Sequence, residues 1–277
     1  MDKEFWVTIA KHDYVIPTEY TLNELKEILF GYLGSTDPEL RDDIAYIVYA
    51  NWLKREMFTK AEIRAHVDEL LANLDKGIGE TESDSIFLRA FSVLLLAEIV
   101  HNDNKKPLLE QDQIQSILAK GLWYLEAEKD PRGYLPVKGW AHALAHTADL
   151  MLVLARNQQV GQNELSKILD GIADKIKQPN NYVYIHREDE RLASAIIQIF
   201  QRNLVTYDEV EKWTNGFLQT DKFTYNGIFQ EENSRVYQNT RNLLRSIYLQ
   251  IPGAKEFPNK EKLQVLFLQV LQSLQRF

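Results

Sequence analysis

Residues 139–155, GWAHALAHTADLMLVLA, run for seventeen positions without a Lys, Arg, Glu or Gln, yet hold two of the six histidines of an acidic 277-residue chain. At about 100° per residue, Leu144, Ala148, Met151 and Ala155 fall on one side of a helix, and Ala141, Ala143, Ala145, Leu150 and Leu154 fill its flanks. His142, His146 and Asp149 are left as one narrow polar stripe. A helix apolar around most of its circumference is buried on most sides. The chain must therefore sandwich this helix between others, with its polar stripe turned toward a semi-enclosed groove.

The neighbouring sequence supplies such partners. Thr21-Leu22-Asn23-Glu24, Thr59-Lys60-Ala61-Glu62 and Thr206-Tyr207-Asp208-Glu209 each fit the capping box that opens a helix. Asp37-Pro38 adds an N-cap followed by proline at the first helical position. Helical periodicity recurs near 84–101, 111–128, 139–156, 163–178, 188–203, 232–250 and 259–276, about eleven helices in all. The run of high β propensity, Tyr182-Val183-Tyr184-Ile185, is too short and isolated to make a sheet.

Taken in pairs, these helices form hairpins whose second members start near 38, 84, 139, 188 and 232, a period of roughly 50 residues. That is close to HEAT and armadillo arrays, in which stacking supplies the core that one hairpin cannot bury. The expected fold is all-α: about five stacked hairpins in an α/α superhelix, one domain over 1–277, capped by the helix at 259–276. A closed α/α toroid satisfies the same spacing.

Composition narrows the function. There is no cysteine, so a disulfide scaffold, a thiolate metal site and a cysteine nucleophile are excluded. The net charge of -8 opposes a phosphate backbone, and no basic patch offsets it, so nucleic acid is not an expected partner. The first residues, MDKEFWVTIAKHDY, carry charges where a signal peptide needs an apolar run. With no span of 18 to 20 apolar residues assigned, the expected location is cytoplasmic.

The i, i+4, i+7 spacing of the histidine stripe recurs in the other hairpins: Asp42, Tyr46 and Tyr49; Ser85, Arg89 and Ser92; Arg187, Arg191 and Ser194. Side by side, these stripes predict one concave polar surface, with Trp140 as a flat apolar wall. Arg89, set among Ile86, Phe87, Leu88 and Phe91, is expected to pair with Asp42, Asp84 or Asp149. The groove then consists of Asp42, Tyr46, Asp84, Arg89, Lys138, Trp140, His142, His146, Asp149, Arg187 and Arg191. Simpler roles fit several of them: Asp42 favoured by a helix dipole, Asp84 as an N-cap, and 186–191 as a solvated helix start.

His142 and His146 stand one turn apart, the spacing that brings two imidazoles to one metal, and Asp149 offers a third ligand. Zinc or manganese suits such a set. The embedded glutamate of the HExxH metalloproteases is missing, because Ala143 takes its position, so a general base would come from elsewhere. Core histidines bonded to neighbouring groups account for the same residues. Gly77-Ile78-Gly79 lacks the rest of a phosphate loop.

The segments DPELRDDIAYIVYANWL, GIGETESDSIFLRAFSVLLLAEI, EKDPRGYLPVKGWAHALAHTADL and REDERLASA resemble the bacterial family known as domain of unknown function 2785. The resemblance covers most of residues 35–200, and KGWAHALAHTAD is its most specific block. It implies a helical protein and brings no activity with it. Two readings follow: a helical scaffold whose groove binds a small anionic ligand or a peptide, or a metal-dependent hydrolase centred on His142, His146 and Asp149.

Overall fold

The computed structural model describes residues 1–219 and 230–274. Twelve helices appear among them: α1 (Lys3–Lys11), α2 (Leu22–Tyr32), α3, which starts as a π-helix (Glu39–Tyr46) and continues as an α-helix (Ile47–Lys54), α4 (Lys60–Asn73), α5 (Ser85–Asp103), α6 (Gln111–Ala127), α7 (Ala143–Arg156), α8 (Gln162–Lys177), α9 (Glu188–Arg202), α10 (Tyr207–Asn215), α11 (Glu231–Gln250) and α12 (Lys260–Leu274). The protein is all-α, apart from the two-residue strands β1 (Tyr134–Leu135) and β2 (Gly139–Trp140), which pair antiparallel. The last positions of the helix expected at 259–276 lie outside the described residues.

Helices α3, α5, α7, α9 and α11 pack side by side in that order, and α4, α6 and α8 lie behind them. The helices differ in how they begin. Side chains cap α2, α4 and α10 with the capping boxes of Thr21, Thr59 and Thr206, as the sequence predicts. No side chain caps α3, α5, α7, α9 or α11. The outer helices are amphipathic, as in α8, which buries Leu165, Ile168, Leu169, Ile172 and Ile176 on one face. The inner helices are buried on several sides, and one apolar cluster runs from Trp6 to Leu274. By length and composition alone α5 could cross a bilayer. Here its apolar side chains are spent on α3, α4 and α7.

One local departure from the sequence reading shapes the site. The helix expected at 139–156 begins at Ala143, because 139–140 pair as a strand and His142 adopts a left-handed conformation with φ 52°. The run Tyr182-Val183-Tyr184-Ile185 forms no strand; Asn239 holds it instead, accepting from the Tyr184 N–H at 2.9 Å and donating to the Tyr182 carbonyl at 3.0 Å.

Candidate functional site

The KGW block is a clamp that docks the β1–β2 hairpin onto the start of α3. Arg41 is fully buried, with its guanidinium 4.2 Å from the Phe87 ring centroid and 4.8 Å from that of Phe91. It donates to the carbonyls of Ser35 (2.7 Å) and Lys138 (2.8 Å) and to the Asp42 carboxylate (2.8 Å). Gly139 makes that approach possible: its φ is +74°, and a Cβ there would meet the Pro38 Cβ at 2.8 Å.

Beyond the clamp the chain delivers a cluster of rings to the rim. Trp140 stacks on His142 with centroids 4.2 Å apart, and His186 meets Trp140 edge-on at 5.3 Å. His146 lies one turn deeper, its ring centroid 5.8 Å from that of His142. Each imidazole of the pair spends one nitrogen on a backbone carbonyl, His142 Nε2 on His186 (3.2 Å) and His146 Nδ1 on Ala90 (3.0 Å). Because a carbonyl only accepts, those nitrogens carry the protons, and His142 Nδ1 and His146 Nε2 keep their lone pairs. Burial holds both rings neutral, pushing His142 down to about 4 and His146 to about 3, with Arg191 adding to the first and the neighbouring His142 to the second.

On the partly open face of the inner layer, polar pairs bridge consecutive inner helices. The Tyr46 hydroxyl on α3 reaches Glu98 on α5 at 3.5 Å, Arg191 on α9 donates to Asp149 on α7 at 2.5 Å, and Ser194 on α9 donates to Gln250 on α11 at 3.0 Å. Burial, with Glu98 beside it, raises the Tyr46 hydroxyl to about 12. Burial raises the Asp149 carboxyl even against Arg191. Asp42, half-buried, is raised to about 6 by the same cause.

Several expected members sit elsewhere. Arg89 is fully buried on the far side of α5, where Glu128 is its partner rather than Asp42, Asp84 or Asp149. Nine residues turn a helix by about 900°, half a turn from the starting face. The groove face of α5 is accordingly the partly exposed stripe Leu94, Glu98 and His101, opposite Ser85, Arg89 and Ser92. Ser92 accepts from Asn73 within the core. Tyr49 is also interior, its hydroxyl 3.0 Å from His66 Nδ1. Asp84 occupies the N-cap position of α5 without capping it, and receives the Lys138 ammonium at 2.7 Å on the exposed rim. Arg187 is exposed, left-handed at φ 69°, and paired with Glu190.

Glu98, Arg41 and His186 escape the stripe argument. Glu98 does leave a trace, as the lone acid between Asp84 and Asp103 on the most apolar helix. Among the described residues no three or more His, Asp or Glu stand so as to hold a metal.

No curated protein and no solved structure matches the chain. Residues 74–249, which include α5, the β1–β2 hairpin, His142 and His146 and the Asp149–Arg191 bridge, match the family described as "Protein of unknown function (DUF2785)", and the chain belongs to that family.

Proposed function

We propose that this protein is a binding module whose groove takes an extended peptide of mixed charge. The Asp149–Arg191 bridge carries the reading. Its side chains remain 29% and 36% exposed, so the guanidinium keeps open donors toward the groove. Acids without a basic partner on α9 stand at one end of the floor, Asp42 on α3 and Glu98 on α5, while Arg191, paired with Asp149, stands on α9 at the other. A ligand that places a carboxylate on α9 and a cation over α5 matches both ends. From Tyr46 to Gln250 the floor crosses four helix spacings of roughly 8–10 Å, on the order of 35 Å, the reach of about ten extended residues. That length suits a peptide better than a single small anion. The stacked Trp140 and His142 offer a flat seat for an apolar side chain at the rim. Peptides selected from a random displayed library should lose affinity when Arg191→Gln removes the forked donor; equal binding to that variant overturns the proposal.

A metal-dependent hydrolase is the second reading, and one observation favours it. His142 and His146 each keep a lone-pair nitrogen while the other is oriented by a carbonyl, as in many metal sites. Against it, Asp149 is engaged by Arg191, so a third ligand would be water or substrate. Elemental analysis of untagged protein after incubation with zinc or manganese tests it. Stoichiometric metal that His146→Gln abolishes supports the hydrolase, and metal-free protein removes it.

A further inference from the structure

A cavity of about 150 Å³ lies behind the groove, between α6, the first turn of α7, the end of α8 and the connection 178–184. Its charges do not balance. The Glu128 carboxylate accepts from Arg89 at 2.6 and 3.1 Å, from the Tyr124 hydroxyl at 3.0 Å and from the Asp130 N–H at 3.0 Å. The Asp130 carboxylate is held by the Arg132 guanidinium and by the Glu82 N–H. Both carboxylates on the wall are thus already matched, each by an arginine. Lys175, 8% exposed, brings a further ammonium to the same cavity and donates to the Glu128 backbone carbonyl at 2.6 Å, with no acid as its ion-pair partner among the described residues.

Two more donor-bearing groups border the space. Tyr184 is 4% exposed and lines the cavity, and its hydroxyl meets no hydrogen-bond partner among the described residues. Ala143 and Leu144 also line it, and they open α7, a helix without a side-chain cap whose first N–H groups carry the positive end of the dipole. The remaining wall sets Leu125 and Pro131 beside the polar Thr147, Gln178, Asn180 and Asn181. A cavity of about this volume has room for one benzene-sized molecule. A buried cation without a counter-ion is costly, and an anion beside it offsets that cost.

We propose that this cavity binds a small organic carboxylate of about benzene size, its charge on Lys175 Nζ and the Tyr184 hydroxyl and its body against Leu125 and Leu144. The site is separate from the groove and does not rest on the peptide reading. Burial already pulls the Lys175 ammonium down to about 8, with Lys129 adding to the effect and Glu128 and Glu126 opposing it. Arg89 with Glu128 and Arg132 with Asp130 are the charged pairs around it, and Lys129, Tyr124 and Tyr184 are the other titratable groups of the wall. A bound carboxylate pushes Lys175 back up, so binding above pH 8 takes up a proton.

The test is calorimetry with sodium benzoate against benzyl alcohol, which is close in size and uncharged, at constant ionic strength. Benzoate should bind the wild type at least tenfold more tightly than the alcohol, a difference of about 1.4 kcal/mol. Titrations at pH 8.5, in buffers of different ionisation enthalpy, should show proton uptake. Lys175→Met should lose benzoate binding, while Arg191→Gln should retain it, which separates this site from the groove. Should Lys175→Met fail to fold, Tyr184→Phe weakening benzoate, with a benzoate-induced shift of the Lys175 ¹⁵Nζ resonance in the wild type, serves instead. Equal binding of acid and alcohol, no binding of benzoate, or benzoate bound as tightly by Lys175→Met or Tyr184→Phe as by the wild type overturns the proposal.

Discussion

Arg191 Nη1 donates to Asp149 Oδ2 at 2.5 Å, joining two inner helices on a face that keeps both side chains partly open. A pair this exposed contributes little to folding, about 0–1 kcal/mol. Asp149→Asn should therefore change the denaturation midpoint only slightly. Its effect should fall on ligand binding, because the guanidinium is then free to fork onto an incoming carboxylate. Denaturant melts beside peptide titrations check this, and a large loss of stability would place the bridge among structural contacts.

The Arg89–Glu128 pair behaves in the opposite way. Both side chains are buried, 0% and 6% exposed, and the guanidinium also donates to the Lys76 and Gly77 carbonyls. Removing one partner leaves a buried charge, so Arg89→Met should cost about 3–5 kcal/mol. Adding Glu128→Leu should recover part of that loss. A double variant no more stable than Arg89→Met would mean that the carbonyl contacts matter more than the ion pair.

These two pairs show what the sequence could and could not tell. The layered helices, the capping boxes and the burial of residues 143–155 follow from periodicity and local chemistry, which act within one or two turns. The face of α5 did not follow. Its apolar residues surround the helix, so the position of Arg89 cannot distinguish a groove from the gap between layers, and only the placement of Glu128 just past the end of α6 decides it. The stripe on α7 was legible because a single polar face remains there. The clamp of Arg41 on Lys138 was not, since it joins residues 97 apart through a glycine at positive φ.

That clamp gives a sharp steric prediction. Gly139→Ala forces a Cβ against Pro38 and an alanine into a left-handed conformation, and should destabilise by about 1–3 kcal/mol. Val137→Ala on the exposed tip of the same hairpin should change little. Thermal melts compare them, and equal melting temperatures would show that the hairpin can undock freely.

Stability should fall on acidification through the histidines. His146 lies at about 3 and His142 at about 4 when folded, against about 6.5 unfolded, so between these limits the unfolded chain binds protons that the folded chain refuses. Their contribution is fully present above pH 6.5 and is lost as pH falls toward 4, by about 1.4 kcal/mol per pH unit for each ring. Asp42, raised to about 6, acts with the opposite sign below that pH. The difference in slope between wild type and His146→Gln, measured by denaturant melts from pH 7 to 5, isolates one ring. Parallel slopes would show that His146 titrates normally.

The groove itself is tested most directly by calorimetric titration of library-selected peptides into wild type, Arg191→Gln and the surface control Lys54→Gln. Peptides carrying both an acid and a base should bind wild type and control alike. Arg191→Gln should weaken them at least tenfold, about 1.4 kcal/mol, with its melting temperature nearly unchanged. Equal affinity for all three proteins would contradict the account.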